Sequence, residues 1–332
     1  MMMRQAIAAI VAAASLTAGT ALAADIKPAV NFDMGGKFDK SFNEGIYNGV
    51  EKFKKETGID YAEFEVTNEA QREQALRNFA RRGHSPIIAV GFAQAGAVKA
   101  VAAEYPELKF TIIDEEVDLP NVQSIKFKEH EGSFLVGVLA AMASKTNAVG
   151  FVGGMDIDLI RRFACGYEQG AKYINPQIQV FQNMTGTTPL AWNDPVKGGE
   201  LAKSQFDRGA DVVYAAAGAT GLGVLQAAAD AGKLSIGVDS NQNGEHPGSV
   251  LTSMLKRVDV AAYNTFKGAM DGSWKPGLQE LGLAENGVGW ALDDNNAKLI
   301  TDAMKTKVTE VEAAIKSGAI KVHNYADNKA CN

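Results

Sequence analysis

Residues 27–43 read Lys27-Pro-Ala-Val-Asn-Phe32-Asp33-Met-Gly-Gly36-Lys-Phe-Asp39-Lys-Ser41-Phe42-Asn43, and this stretch decides the fold. An apolar run of strand length passes directly into an acid, a glycine pair and the polar start of a helix. The helix is predicted over Asn43–Glu56, where Ile46, Val50 and Phe53 recur at i, i+4 and i+7. A continuous apolar run, rather than strict alternation, marks a strand covered on both faces in a parallel sheet.

The unit then repeats. Further strands are expected at Ile59–Glu65, Pro86–Val90, Lys109–Ile113 and Val122–Phe127, with helices at Glu69–Arg82 and Ala95–Glu104. A second series follows, with strands at Ala148–Val152, Ile178–Phe181, Val212–Ala216 and Ser235–Val238 and helices at Leu159–Tyr173, Gly198–Arg208 and Gly223–Ala231. The apolar helix Glu131–Ser144 lies between the two series. Strand Val250–Leu255, helix Val258–Met270, strand Gly287–Leu292 and helix Ala297–Lys316 close the chain. Alternating strands and helices in two sets of similar size define an α/β protein of two lobes. No low-complexity tether separates the sets, so the lobes are expected to be joined by direct crossings near residues 127, 253 and 289. That places 24–127 plus 254–289 in lobe 1 and 128–253 plus 290–332 in lobe 2.

Composition removes several function classes. The 332 residues are 46% apolar and 22% charged, too apolar for a disordered chain. Acids outnumber bases, 39 to 33, for a net charge of −6, and no long Lys/Arg run is present, which argues against a nucleic-acid partner. At the N-terminus, Arg4 precedes the apolar stretch from Ala6, and Ala21-Leu22-Ala23 is an A-x-A processing site. Residues 1–23 are therefore expected to be a cleaved signal peptide, with no lipid-anchor Cys after the site and no membrane insertion once it is removed. Cys165 and Cys331, the only cysteines, are expected to form one disulfide in an oxidising space such as the periplasm.

In open parallel α/β sheets, ligands sit beyond the carboxyl ends of the strands. Those positions carry Asp33, Asp114, Gly218 and Asp239. Asp33 follows its strand directly and precedes Gly35-Gly36, where backbone can approach a ligand. Asp239, after Ile236-Gly237-Val238, repeats the arrangement in the second unit. Two ionised carboxylates facing one crevice suit a vicinal diol, whose hydroxyls donate to them. Lys256, after the crossing strand, is a candidate to compensate their burial. Asp39 and Ser41 are expected to cap the following helix.

Catalytic patterns are sparse. The four histidines are scattered, no metal-ligand spacing occurs, and there is no phosphate-binding loop or nucleophile elbow. Gly218-Ala-Thr-Gly221-Leu-Gly223 approaches a dinucleotide fingerprint, but its spacing is irregular and an exported chain meets little dinucleotide. No cofactor, no metal and no enzymatic activity are expected.

Several segments carry a family resemblance. Gly35-Gly36-Lys-Phe-Asp39-Lys-Ser41-Phe42-Asn43, Ile112-Ile-Asp114, Phe127-Lys-Glu-His-Glu131-Gly-Ser, Val149-Gly-Phe-Val-Gly-Gly-Met-Asp-Ile157, Ile160-Arg-Arg-Phe163, Ala217-Gly-Ala-Thr-Gly221 and Ile236-Gly-Val-Asp239-Ser resemble the basic membrane protein family. These are substrate-binding proteins of ABC importers, similar to purine nucleoside receptors. The resemblance implies a type I periplasmic-binding fold with three hinge crossings and a purine nucleoside or nucleobase between the lobes. It also implies an ABC permease as partner and a monomeric receptor. By the same resemblance, Asp33 and Asp239 contact ribose with Lys256 nearby, and Phe42 and Asn43 face the base. A second aromatic closes the sandwich, for which Phe163 and Trp192 both stand as candidates. A ligand-presenting sensor and an exported nucleoside-processing enzyme are the competing readings.

Overall fold

The structure, a computed structural model, describes residues 26–331; the signal peptide expected over 1–23 lies outside them. The first half runs β1 (Ala29–Phe32), α1 (Phe42–Thr57), β2 (Ala62–Glu65), α2 (Gln71–Arg81), β3 (Ile87–Ala89), α3 (Ala95–Glu104), β4 (Phe110–Ile113) and β5 (Val122–Phe127). After α4 (Glu129–Ala143) the second half runs β6 (Ala148–Met155), α5 (Asp158–Ile174), β7 (Gln179–Gly186), α6 (Pro195–Asp207), β8 (Val212–Ala216), α7 (Thr220–Asp230), β9 (Leu234–Asp239) and β10 (Val250–Lys256). Then follow α8 (Val258–Asp271), β11 (Gly277–Leu281), β12 (Val288–Trp290), α9 (Asp302–Lys316) and α10 (Tyr325–Asn328).

Two six-stranded sheets result, ordered β2-β1-β3-β4-β5-β11 and β7-β6-β8-β9-β10-β12. Every pairing is parallel except β10 with β12. The two sheets thus share one strand order, with β4 and β9 in corresponding places. The chain changes sheet three times, after β5, after β10 and between β11 and β12. This is the two-lobed architecture of periplasmic binding proteins. Helices cover both faces of each sheet, which is why β1, β3, β4 and β8 are buried along their whole length.

The pairing moves two expected boundaries. Leu255 lies opposite Asp239, Lys256 opposite Val288 and Gly289 opposite Leu255. Residues 254–256 and 288–289, expected in lobe 1, therefore pair within the second sheet, and the crossing falls after Lys256. The apolar run through Leu255 simply continues the ladder, and only long-range pairing says where it ends. β11, which no periodicity announced, adds an exposed parallel edge strand to β5.

Helix starts also differ from expectation where side chains intervene. α6 begins at Pro195 because Asp194 caps it, accepting from the Lys197 N–H at 2.9 Å. α9 begins only at Asp302, where Thr301 accepts from the Met304 N–H at 3.2 Å. The helices α4 and α5 pack through Gly137, Gly166 and Gly170, and a methyl group on any of them would collide with backbone of the facing helix. Cys165 on α5 and Cys331 are joined by a disulfide that spans 166 residues and ties the C-terminal segment to the second lobe.

Candidate functional site

The carboxyl ends of the strands of both sheets face an interlobe cavity. Its walls bring together all nine residues singled out from sequence: Asp33, Phe42, Asn43, Asp114, Phe163, Trp192, Gly218, Asp239 and Lys256. Asp39, Met34, Gly91, Phe92 and Leu159 line it as well.

Lys256 sits at the centre of the charges. Its Nζ lies 2.6 Å from Asp114 Oδ2 and 3.1 Å from Glu129 Oε1, while Arg162 Nε approaches Glu129 Oε2 at 3.2 Å. The ammonium is also 5.2, 5.1 and 5.5 Å from the ring centroids of Phe42, Phe127 and Phe163, a cation–π setting. Burial works to neutralise Lys256, but Asp114, Glu129 and Asp239 outweigh it and raise its pKa. Burial pushes Asp114 up to about 6 against the pull of Lys256. Glu129 feels the same burial, yet Arg162 and Lys256 hold its carboxyl below the ordinary range. Burial raises Asp239, opposed by Lys256 and by the Ser41 hydroxyl.

Lys256 thus pairs directly with Asp114 and Glu129, and its charge also opposes the burial of Asp239. Asp33 instead has Arg72 of α2, whose Nε lies 3.2 Å from its Oδ1 and whose charge opposes the rise that burial imposes. By strand position, the counterpart of Asp239 in the first sheet is Asp114. Asp239 ends β9 and Asp114 follows β4, corresponding strands of the two sheets, and both adopt positive φ, 62° and 74°. Asp33 follows β1, whose counterpart is β6. Asp33 and Asp239, expected to face one crevice, both line this cavity, from strands that hold different places in their sheets. Glu129, Arg162 and Arg72 went unassigned from sequence, although Glu129 and Arg162 lie inside quoted motif segments.

The turn into α1 is also divided differently. Asp39 does cap, accepting from the N–H groups of Ser41, Asn43 and Glu44 at 2.8, 3.0 and 3.1 Å. Burial nonetheless pushes its carboxyl up to about 7. Ser41 does not cap. Its hydroxyl crosses to the second lobe and donates to Asp239 Oδ2 at 2.6 Å. Two more bonds cross there, from Ser240 Oγ to the Ser41 carbonyl at 2.8 Å and from Gln242 Nε2 to the Lys40 carbonyl at 3.1 Å.

Trp192 and Phe163 occupy different parts of the wall. The Trp192 indole lies over Gly154, where a methyl group would collide with it, and its Cβ faces Gly35. Phe163 is 3% exposed and belongs to the central apolar cluster. Gly218, with φ 57°, brings the start of α7 against the Trp192 carbonyl, and the hydroxyl of Thr220 donates to the Ala191 carbonyl at 2.8 Å. The glycines of 218–223 thus seat a loop against a helix. Among the described residues, no group of three or more His, Cys, Asp or Glu is placed to hold a metal ion.

Two parallel-sheet lobes that meet at a polar–aromatic cavity have the architecture of ABC solute-binding proteins. Residues 26–325 match the family described as Bmp, ABC transporter substrate-binding protein PnrA-like, and the chain belongs to that family. It is similar to the ABC transporter nucleoside-binding protein BmpA of Lactococcus lactis, 31% identical over 88% of each chain. An uncharacterized lipoprotein of Pyrococcus abyssi is 36% identical over 81% of this chain and 70% of its own length. Among solved structures, an ABC transporter solute-binding protein from Aeropyrum pernix superposes with a TM-score of 0.84 at 30% identity, covering 92% of this chain and 95% of that one. Among the described residues, no helix is long and apolar enough to cross a membrane.

Proposed function

We propose that this protein is an exported, periplasmic receptor that captures a purine nucleoside or its base between its lobes and delivers it to an ABC importer. The observation that carries the reading is the cavity itself, where acids, one ammonium and aromatic rings face each other across the lobes. Carboxylates accept hydroxyl hydrogen bonds strongly, and aromatic faces hold a planar base. Asp114 and Asp239, at corresponding strand ends around Lys256, are assigned to the ribose hydroxyls. Asp33 and Asn43 are assigned to the base edge. Trp192, beside Gly35 and so close to Asn43, is the aromatic assigned to the base opposite Phe42, with Phe163 as apolar floor. Lobe 1 is taken as 26–127 plus 257–287 and lobe 2 as 128–256 plus 288–331, closing by hinge motion at the crossings.

A ligand that binds the folded state alone raises the melting temperature. A thermal-shift panel of nucleosides, free bases, sugars and amino acids therefore tests the proposal, with purine nucleosides or bases expected to give the largest shifts. Stabilisation by sugars or amino acids alone would end the nucleoside reading. Unchanged nucleosides after prolonged incubation are the expected mark of a receptor, whereas released base would indicate a hydrolase.

A further inference from the structure

Asp158, Arg162, Cys165 and Gln169 of α5 recur at i, i+4, i+7 and i+11. That spacing puts them on one face of the helix, and the C-terminal segment is fastened along it. Ile320 and Val322 pack on the central apolar cluster. Gln169 then holds His323 reciprocally, its Nε2 donating to the His323 carbonyl and its Oε1 accepting the His323 N–H, both at 2.9 Å. Lys329 pairs with Asp158, and Cys331 is joined to the fully buried Cys165. Arg162, between these anchors, lines a pocket with Ala326 of α10. The next residue, Asp327, acts electrostatically on His130, the neighbour of Glu129.

What the segment covers leads inward to the ligand cavity. Arg162 is 8% exposed, and its Nε lies 3.2 Å from Glu129 Oε2 without hydrogen-bond geometry. The pair is thus held by charge and by the packing around the guanidinium. Glu129, fully buried, is the second acid on Lys256, whose Nζ reaches Asp114 on the cavity wall. Leu159, Ile160 and Phe163, from the same turns of α5, line that cavity. An Arg162 displaced from this position leaves Glu129 buried with one cation fewer, a costly state that water entry or rearrangement must relieve. We infer that residues 320–331 form a disulfide-locked strap that keeps Arg162 on Glu129, so that Arg162 is a positioning residue for Lys256 and Asp114 and the strap sets ligand affinity. The inference rests on the nucleoside reading only for its choice of probe ligands.

Calorimetry and stopped-flow dissociation with guanosine, inosine and adenosine compare the oxidised wild type with Cys165→Ala/Cys331→Ala, Arg162→Met and Arg162→Lys. The temperature is one at which circular dichroism shows each protein folded. Loss of the bridge and Arg162→Met should each weaken riboside binding roughly tenfold, the scale of one bond to a charged group, through faster dissociation. Arg162→Lys should recover part of that loss, and equal affinities for the Met and Lys variants would reduce Arg162 to packing. A folded bridge-free variant with wild-type affinity overturns the inference and leaves the disulfide a stabilising crosslink. Hydrogen exchange of the unliganded proteins tests the strap without any ligand. Loss of the bridge should speed exchange in the segment itself, in residues 162–166 of α5 and in residues 133–136 of α4. Faster exchange confined to 320–331 overturns the inference. Should the bridge-free variant fail to fold, exchange in α4 of the Arg162→Met and Arg162→Lys pair decides the role of Arg162. Binding of no riboside by the wild type removes the nucleoside reading, and the exchange pattern then decides the strap alone.

Discussion

Asp239 holds the two lobes together and is also one of the residues assigned to the ligand under the proposed function. One oxygen accepts the Ser41 hydroxyl at 2.6 Å, and the residue lines the cavity at the end of β9. Asp239→Ala is expected to lower ribonucleoside affinity roughly ten- to a hundredfold, the range of charge-assisted bonds worth about 1.5–3 kcal/mol. The loss should be larger for the ribonucleoside than for its 2′,3′-dideoxy analogue, and calorimetry with both ligands measures it. An equal loss would assign Asp239 to the Ser41 contact alone. His130 provides the pH test at this scale. Burial lowers its imidazole to about 4, with Glu129 and Asp327 working upward and Arg162 and Lys128 downward. Its folded pKa is depressed from the ordinary value near 6.5, so the stability it contributes is present above about 6.5 and is lost as pH falls toward 4. Between pH 7.5 and 5 the wild type should lose about 1–2 kcal/mol through this group, and His130→Phe should lose correspondingly less over the same interval in urea unfolding.

At the scale of elements, α4 and α5 are held at backbone distance by glycines whose replacement has nowhere to go. A Cβ on Gly170 would strike the Phe134 carbonyl, and one on Gly166 the His130 backbone. Gly170→Ala is expected to destabilise by about 1–3 kcal/mol, the cost of overpacking a tight contact. Gly96, in α3, has nothing within 4 Å of such a carbon. Gly96→Ala should therefore stabilise, by up to about 1 kcal/mol, through helix propensity and the reduced entropy of the unfolded chain. Denaturant midpoints of the two variants should move in opposite directions. Both glycines lie in helices, and sequence alone offers no sign of the difference between them.

At the scale of the whole molecule, the charges gather at the hinge crossings. Glu129 lies just after the first and Lys256 just before the second, and Lys256 bonds Asp114 of the first sheet. Opening the lobes must therefore work against a buried ion pair, while the Ser41–Asp239 bond adds a second tie across the interface. The disulfide binds the last residues to α5. Thiol counting on denatured, unreduced, exported protein is expected to find no free thiol. Reduction should lower stability by up to about 5 kcal/mol if the constraint on the unfolded chain is the whole effect. Two free thiols per chain would reject the bridge.

The alternation of strands and helices, the division into two sets, the acids at strand ends and the aromatic residues of the cavity were all legible in the chain. They depend on periodicity and on the residue that follows each strand, which are local. The identity of the partners was decided by the tertiary structure. Lys256 belongs with Asp114 and Glu129, Arg72 with Asp33, Ser41 with Asp239 and residues 254–256 with the second sheet, each through contacts between residues far apart in sequence. Strand order sets those contacts, and strand order follows from which apolar faces bury together across the whole lobe. A local motif can therefore place Asp239 at a strand end, but only the packed sheets put β9 in the place that corresponds to β4 and Asp114.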